Sequence, residues 1–134
     1  MINNKFIVYE DSRIKATSGE VIFNKIKELN IDYEQENFIV FYLNIQNRIL
    51  SEEILFKGGY DSCLICPNTI FRKALLNNAH KIILAHNHPS DSLSPSNEDI
   101  DVFNKLKQAG DLIQIKVLDS VIFNKGGFYS CIEL

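Results

Sequence analysis

The sequence predicts an α/β sandwich around one mixed sheet. Three observations carry that expectation. Strand-like and helix-like segments interleave along all 134 residues. Two strand candidates, "NFIVFYLN" and "KIILAH", are almost wholly apolar, as strands covered on both faces are. Several strand candidates also follow one another across short turns, as hairpin neighbours do.

Taken in order, "KFIVYE" reads as a short strand. "SGEVIFNKIKELN" reads as a helix that Ser18 can cap, with Val21, Ile22, Ile26 and Leu29 on one stripe. "NFIVFYLN" is β-branched and aromatic and reads as a buried strand. Asn44–Asn47 can turn the chain into "RILSEEILFKG", a second, antiparallel strand. "DSCLIC" is a third strand candidate, stopped by Pro67, which suits the first turn of the helix "PNTIFRKALLNNA". "KIILAH" is the next strand and "NHPSDSLS" the loop after it. "PSNEDIDVFNKLKQAG" places Ile100, Phe103 and Leu106 on one side, with Gly110 as its stop signal. "IQIKVLDSVIF" and "GGFYSCIEL" close the chain as strands.

The length predicts a single domain over residues 1–134, with 1–17 as an N-terminal extension. A formal net charge of −3 argues against broad, non-specific nucleic-acid binding, which needs a basic face to displace counterions. No stretch is apolar for long enough to span a membrane. The first ten residues alternate polar and apolar too early for a signal peptide, so the expected compartment is the cytosol. Three cysteines, an odd number, are a poor basis for a disulfide framework. Exposed edge strands are compatible with a homodimer.

The chemistry concentrates in "LAHNHPSDSLSPSNEDID". At an extended strand end His86 and His88 project to the same side, so both rings can reach one ion at ~2.0–2.1 Å. With Pro95 at the start of a helix, Ser96 and Asp99 share one helical face. The loop between His88 and Ser96 is long enough to fold that helix start back over the histidines. The result is a His–His–Asp set with an open fourth position, the pattern of a catalytic zinc rather than a structural one. Taken alone, Ser-x-x-Asp before an apolar run is also an ordinary helix cap.

The string His-x-His-Pro-Ser, followed by Ser-x-x-Asp, resembles the signature of the JAMM (MPN+) metalloproteases. "IILAHNHPS", "SPSNEDI", "LFKGG", "KVLD" and "GGFYS" resemble the RadC-like branch of that superfamily, and the likeness runs from about Ser18 to Ile132. It implies a JAB/MPN fold like that of cytidine deaminases: a mixed, mainly antiparallel sheet with flanking helices. It implies Zn²⁺ held by His86, His88 and Asp99, with Ser96 donating to an oxyanion. It also implies a glutamate on an earlier strand as general base. Related sequences place that acid five residues before the glycine of "LFKG", which is Glu53, leaving Glu52 an ordinary exposed strand residue. The implied activity is hydrolysis of a peptide or isopeptide bond in a peptide or protein substrate. RadC-like proteins are also labelled as DNA-repair factors, which keeps a repair-associated accessory domain as an alternative, beside a metal-stabilised interaction module without turnover. The helix-hairpin-helix segment of longer RadC-type proteins has no counterpart here.

This chain departs from the family words at Asp91, where a glycine is usual, at Ser120, which replaces a histidine, and at Cys66-Pro67-Asn68. Cys63 and Cys66 form C-x-x-C, but on a strand they would face opposite ways, and they read as buried or half-buried thiols. His80 reads as a surface residue, and Asp119 as either a supporting acceptor at the site or a surface turn. The nuclease motif spelled by His86-Asn87-His88 draws its residues from separated elements. A zinc deaminase needs H-x-E and a later P-C-x-x-C, which this chain lacks.

Overall fold

The computed structural model describes residues 11–58 and 66–132. The strand read over "KFIVYE" lies outside them, as does the one over "DSCLIC" apart from Cys66, and so does Cys63. Helix α1 spans Gly19–Lys27, and Ser18 occupies its cap position without a side-chain hydrogen bond. Strands β1 (Asn37–Leu43) and β2 (Ile49–Lys57) follow, then helix α2 (Pro67–Leu76) and strand β3 (Lys81–Asn87). Helix α3 (Asn97–Ile113) leads to strands β4 (Lys116–Phe123) and β5 (Phe128–Ser130).

The five strands form one mixed sheet in the order β2-β1-β3-β4-β5. All neighbours are antiparallel except β3 and β4, which run parallel. A parallel pair cannot be joined by a tight turn, so the chain crosses over through α3 between them. Both apolar strands sit in the interior of the sheet, and β1 is buried along its whole length. Its alternation divides the core. Phe38, Val40 and Tyr42 pack with Ile70, Phe71, Phe103 and Leu106 of α2 and α3. Ile39, Phe41 and Leu43 pack with Ile22, Phe23 and Ile26 of α1. The sandwich therefore has three layers, with one helix on one face and two on the other. Among the described residues no helix is long and apolar enough to cross a membrane.

Gly110 does not stop α3. The helix continues to Ile113 and ends at Gln114, whose φ of 63° supplies the left-handed cap. Gly110 is instead a point of close approach. A Cβ added there would lie 2.3 Å from the Ile115 carbonyl oxygen, where the chain doubles back into β4. A stop glycine and a packing glycine look alike in a linear sequence, because both lack the same atom.

This sets two effects against each other in Gly110→Ala. Helix propensity favours alanine by about 1 kcal/mol, while overpacking costs about 1–3 kcal/mol. The clash is with backbone, which gives little, so a net loss is expected. It would be read as a lower denaturant midpoint at unchanged slope. A stabilised variant would mean that the turn relaxes freely.

Candidate metal centre

Pairing between β1 and β3 sets Phe38 opposite His86. The His86 ring lies nearly parallel to that of Phe38, with centroids 6.3 Å apart, and is buried. Strand β3 ends one residue later, so His88 projects to the same side just beyond the sheet. Asp91 then turns the loop with φ 63°, its N–H donating to the His88 carbonyl at 2.9 Å. Aspartate thus holds a left-handed conformation that most residues other than glycine resist. Asn124 Nδ2 braces the turn by donating to the Asp91 carbonyl at 2.9 Å.

Beyond this loop the capping pattern and the metal pattern are the same atoms. Ser96 Oγ accepts from the Asp99 N–H at 3.0 Å, and Asp99 Oδ2 accepts from the Ser96 N–H at 2.8 Å. The reciprocal box orients the carboxylate toward the histidines. Asp99 Oδ2 lies 2.8 Å from His88 Nε2, and Oδ1 lies 3.1 Å from His86 Nε2. One ligand atom from each of the three residues falls within 4.8 Å of the others.

These groups need a positive charge among them. His88 Nδ1 lies 2.9 Å from the Ser92 carbonyl, which only accepts, so that nitrogen carries the proton. In the neutral ring Nε2 then presents a lone pair to the Asp99 carboxylate. Either a second proton or a cation must lie between them. His86 is more pointed. Its Nε2 is close to Asp99 but out of hydrogen-bond alignment, and among the described residues neither ring nitrogen has a hydrogen-bond partner. A buried imidazole without a partner is costly, and a metal ion would satisfy it. Two imidazoles and a carboxylate also suit zinc chemically.

Burial works to raise the Asp99 carboxyl, but closeness to His86 and the two Ser96 bonds outweigh it and hold the group well below the ordinary carboxylate range. With a folded value below the unfolded ~3.9, this carboxylate stabilises the metal-free chain above that pH, and the stabilisation is lost as pH falls through the folded value.

Glu53 is not gathered with these residues. It pairs across from Val40, two rungs along β1 from Phe38, and on the outer strand. Its carboxylate takes the Tyr42 hydroxyl at 3.1 Å and the Lys73 ammonium at 3.3 Å, both pulling it away from the mouth. Glu52 faces the other side, 3.9 Å from Lys25 of α1. The acid at the mouth is Glu36. Continuing the Phe38–His86 register by two residues brings it level with His88. Burial raises its carboxyl above the ordinary value, the two imidazoles oppose the rise, and Asp99 and Glu98 add to it. A signal for Glu36 exists in its alternation with Phe38, but only the register of two distant strands gives that signal a meaning.

The remaining candidates fall elsewhere. Asp119 is fully buried and accepts from the N–H groups of Ser120 and Ile132 and from the Ser130 hydroxyl. It anchors the C-terminal segment to β4 and is not on a surface turn. Ser120 is buried beside it, and His80 is exposed. Cys66 is exposed at the cap position of α2.

Residues 16–134 match the family model described as a RadC-like JAB domain. A UPF0758 protein of Staphylococcus haemolyticus is 37% identical over 123 residues, covering 92% of this chain and 54% of that protein. One from Chlorobaculum parvum is 41% identical over 116 residues, with 87% and 52% covered. One from Finegoldia magna is 42% identical over 104 residues, with 78% and 45% covered. The chain spans about half the length of the curated relatives it matches.

A cation that binds only the folded chain must stabilise it. At free zinc a hundredfold above Kd, the gain is expected to be about 2.7 kcal/mol, read as a rise in thermal midpoint. His88→Ala and Asp99→Asn should each abolish the rise. Acidification should weaken binding, because protons compete with the ion for its ligands. An equal rise in the variants would move the binding site elsewhere.

Proposed function

The chain belongs to the RadC-like JAB domain family, and from that membership we propose that it is a zinc-dependent hydrolase acting on the amide bond of a peptide or isopeptide substrate. The observation that supports this best is the buried His86 ring, without a hydrogen bond at either nitrogen among the described residues, converging with His88 and Asp99 at the open end of the sheet. These three residues would hold the ion, which when bound supplies a Lewis acid that acidifies water and polarises a carbonyl.

The protein's own groups do the rest. The Ser92 carbonyl keeps the proton on His88 Nδ1 and leaves Nε2 free as a donor of electrons. Ser96 Oγ accepts from the Asp99 N–H, and its hydroxyl, now shared with the Asp99 carboxylate, would turn to an oxygen that gains charge. Glu36 takes the proton of the attacking water and returns it to the leaving amine. Its half-buried carboxyl with a raised affinity for protons suits that exchange. In this reading the base is Glu36, and Glu53 serves the fold through Tyr42 and Lys73.

The two glutamates make the test. Glu36→Gln should keep zinc binding and lose turnover of a peptide library by about 10²-fold or more. Glu53→Gln should leave turnover within a few-fold and lower stability by about 1 kcal/mol. The reverse pattern would return the base to Glu53. A zinc-loaded chain that cleaves nothing in peptide or isopeptide libraries would count against the hydrolase.

A further inference from the structure

Asn87 lies between the two histidines in sequence and projects to the opposite side of the strand. We propose that Asn87 is a positioning residue: clasped to Asn37, it fixes the 32–37 loop and thereby holds the Glu36 carboxyl beside the His86–His88–Asp99 cluster. The inference rests on the hydrolase reading for the role it gives Glu36.

The clasp is dense and dry. Asn37 and Asn87 are each 1% exposed, at an end of the sheet where the neighbouring core positions are apolar. Asn87 Oδ1 accepts from the Asn37 backbone N–H at 2.8 Å and from Asn37 Nδ2 at 3.1 Å. Asn87 Nδ2 donates to the carbonyls of Gln35 at 2.8 Å and Tyr33 at 3.3 Å. Asn37 Nδ2 also donates to the carbonyls of Asp32 at 2.9 Å and Gln35 at 3.1 Å. The oxygen meets only donors and the nitrogen meets only acceptors, so the orientation of the Asn87 amide is determined by its surroundings.

These bonds grip the residues on either side of Glu36, which are Gln35 and Asn37. The Glu36 carbonyl is itself held, accepting from the Gly58 N–H at 2.8 Å. The peptide of Glu36 therefore has little freedom, and the strand register sets the residue level with His88, close enough for both imidazoles to act on its carboxyl. Among the described residues the Asn87 side chain bonds only to Asn37, Gln35 and Tyr33, and not to the side chains of the cluster. Its effect passes through the loop, yet it belongs to the strand that carries both histidines. One residue thus ties the spacing of the ligands to the spacing of the acid. Partly satisfied, such a network would be costly; fully satisfied, it specifies a single arrangement.

The test loads the whole chain with Co²⁺ in place of zinc and labels glutamate carboxyls with ¹³C. The cobalt-induced shift of the Glu36 carboxyl reports its position relative to the ion without any substrate. Asn87→Ala should cut or broaden that shift by roughly half or more, while Co²⁺ affinity stays within about threefold. Asn37→Ala keeps the backbone bond, removes the side-chain bonds, and should change the shift in the same direction. It carries the test if Asn87→Ala does not fold. In turnover, Glu36→Gln/Asn87→Ala should be no slower than Glu36→Gln, because Asn87 acts through Glu36. A purely structural clasp would multiply the two losses. An unmoved Glu36 signal in both asparagine variants overturns the proposal, as does a fall in cobalt affinity of about tenfold or more with the signal in place. A wild-type chain that binds cobalt but cleaves nothing counts against the hydrolase reading, and the shift still decides the clasp. A chain that binds no cobalt overturns both.

Discussion

The pairing of β3 is the constraint on which the rest depends. It runs antiparallel to β1 on one side and parallel to β4 on the other. The antiparallel pairing brings the start of β1 beside the end of β3, and with it Glu36 beside His88. The parallel pairing forbids a tight return, so the chain leaves over the same end of the sheet and re-enters through α3. That crossover delivers the first turn of α3, with Ser96 and Asp99, above the histidines. Residues far apart in the sequence meet because strand directions leave them nowhere else to go.

The polar interior separates structural groups from reactive ones. Asp119 is fully buried and accepts from two backbone N–H groups and a hydroxyl, and Asn37 and Asn87 bond to each other and to the loop beside them. Such groups rigidify what they touch. His86 is also buried and, among the described residues, has no hydrogen-bond partner at either nitrogen. Interiors rarely leave a polar atom in that condition unless something else completes it. The contrast between a saturated carboxylate and an unsaturated imidazole, both inside the same sheet, is the clearest chemical statement the fold makes.

How much of this was legible follows the range of each interaction. His86 and His88 were readable because two residues along a strand return to the same face. Ser96 and Asp99 were readable because three residues along a helix do likewise. The cap and the ligand looked like rival readings of Ser-x-x-Asp, yet one box of hydrogen bonds serves both. Gly110 has the look of a stop and is a contact, since the carbonyl it accommodates belongs to the turn into β4. Glu53 was chosen by its distance from a glycine, and its carboxylate is committed to Tyr42 and Lys73.

By itself the sequence determined most elements of the described residues, the layering of a mixed sheet between helices, and the donor types at its open end. These follow from periodicity, turn chemistry and local spacing, all of which act over a few residues. Only the tertiary structure decided which acid stands beside the histidines, that Asp119 anchors the C-terminal segment, and that an asparagine between two histidines grips a loop on the opposite side. Each of those depends on strand register, and register is a relation between segments that neither segment encodes alone.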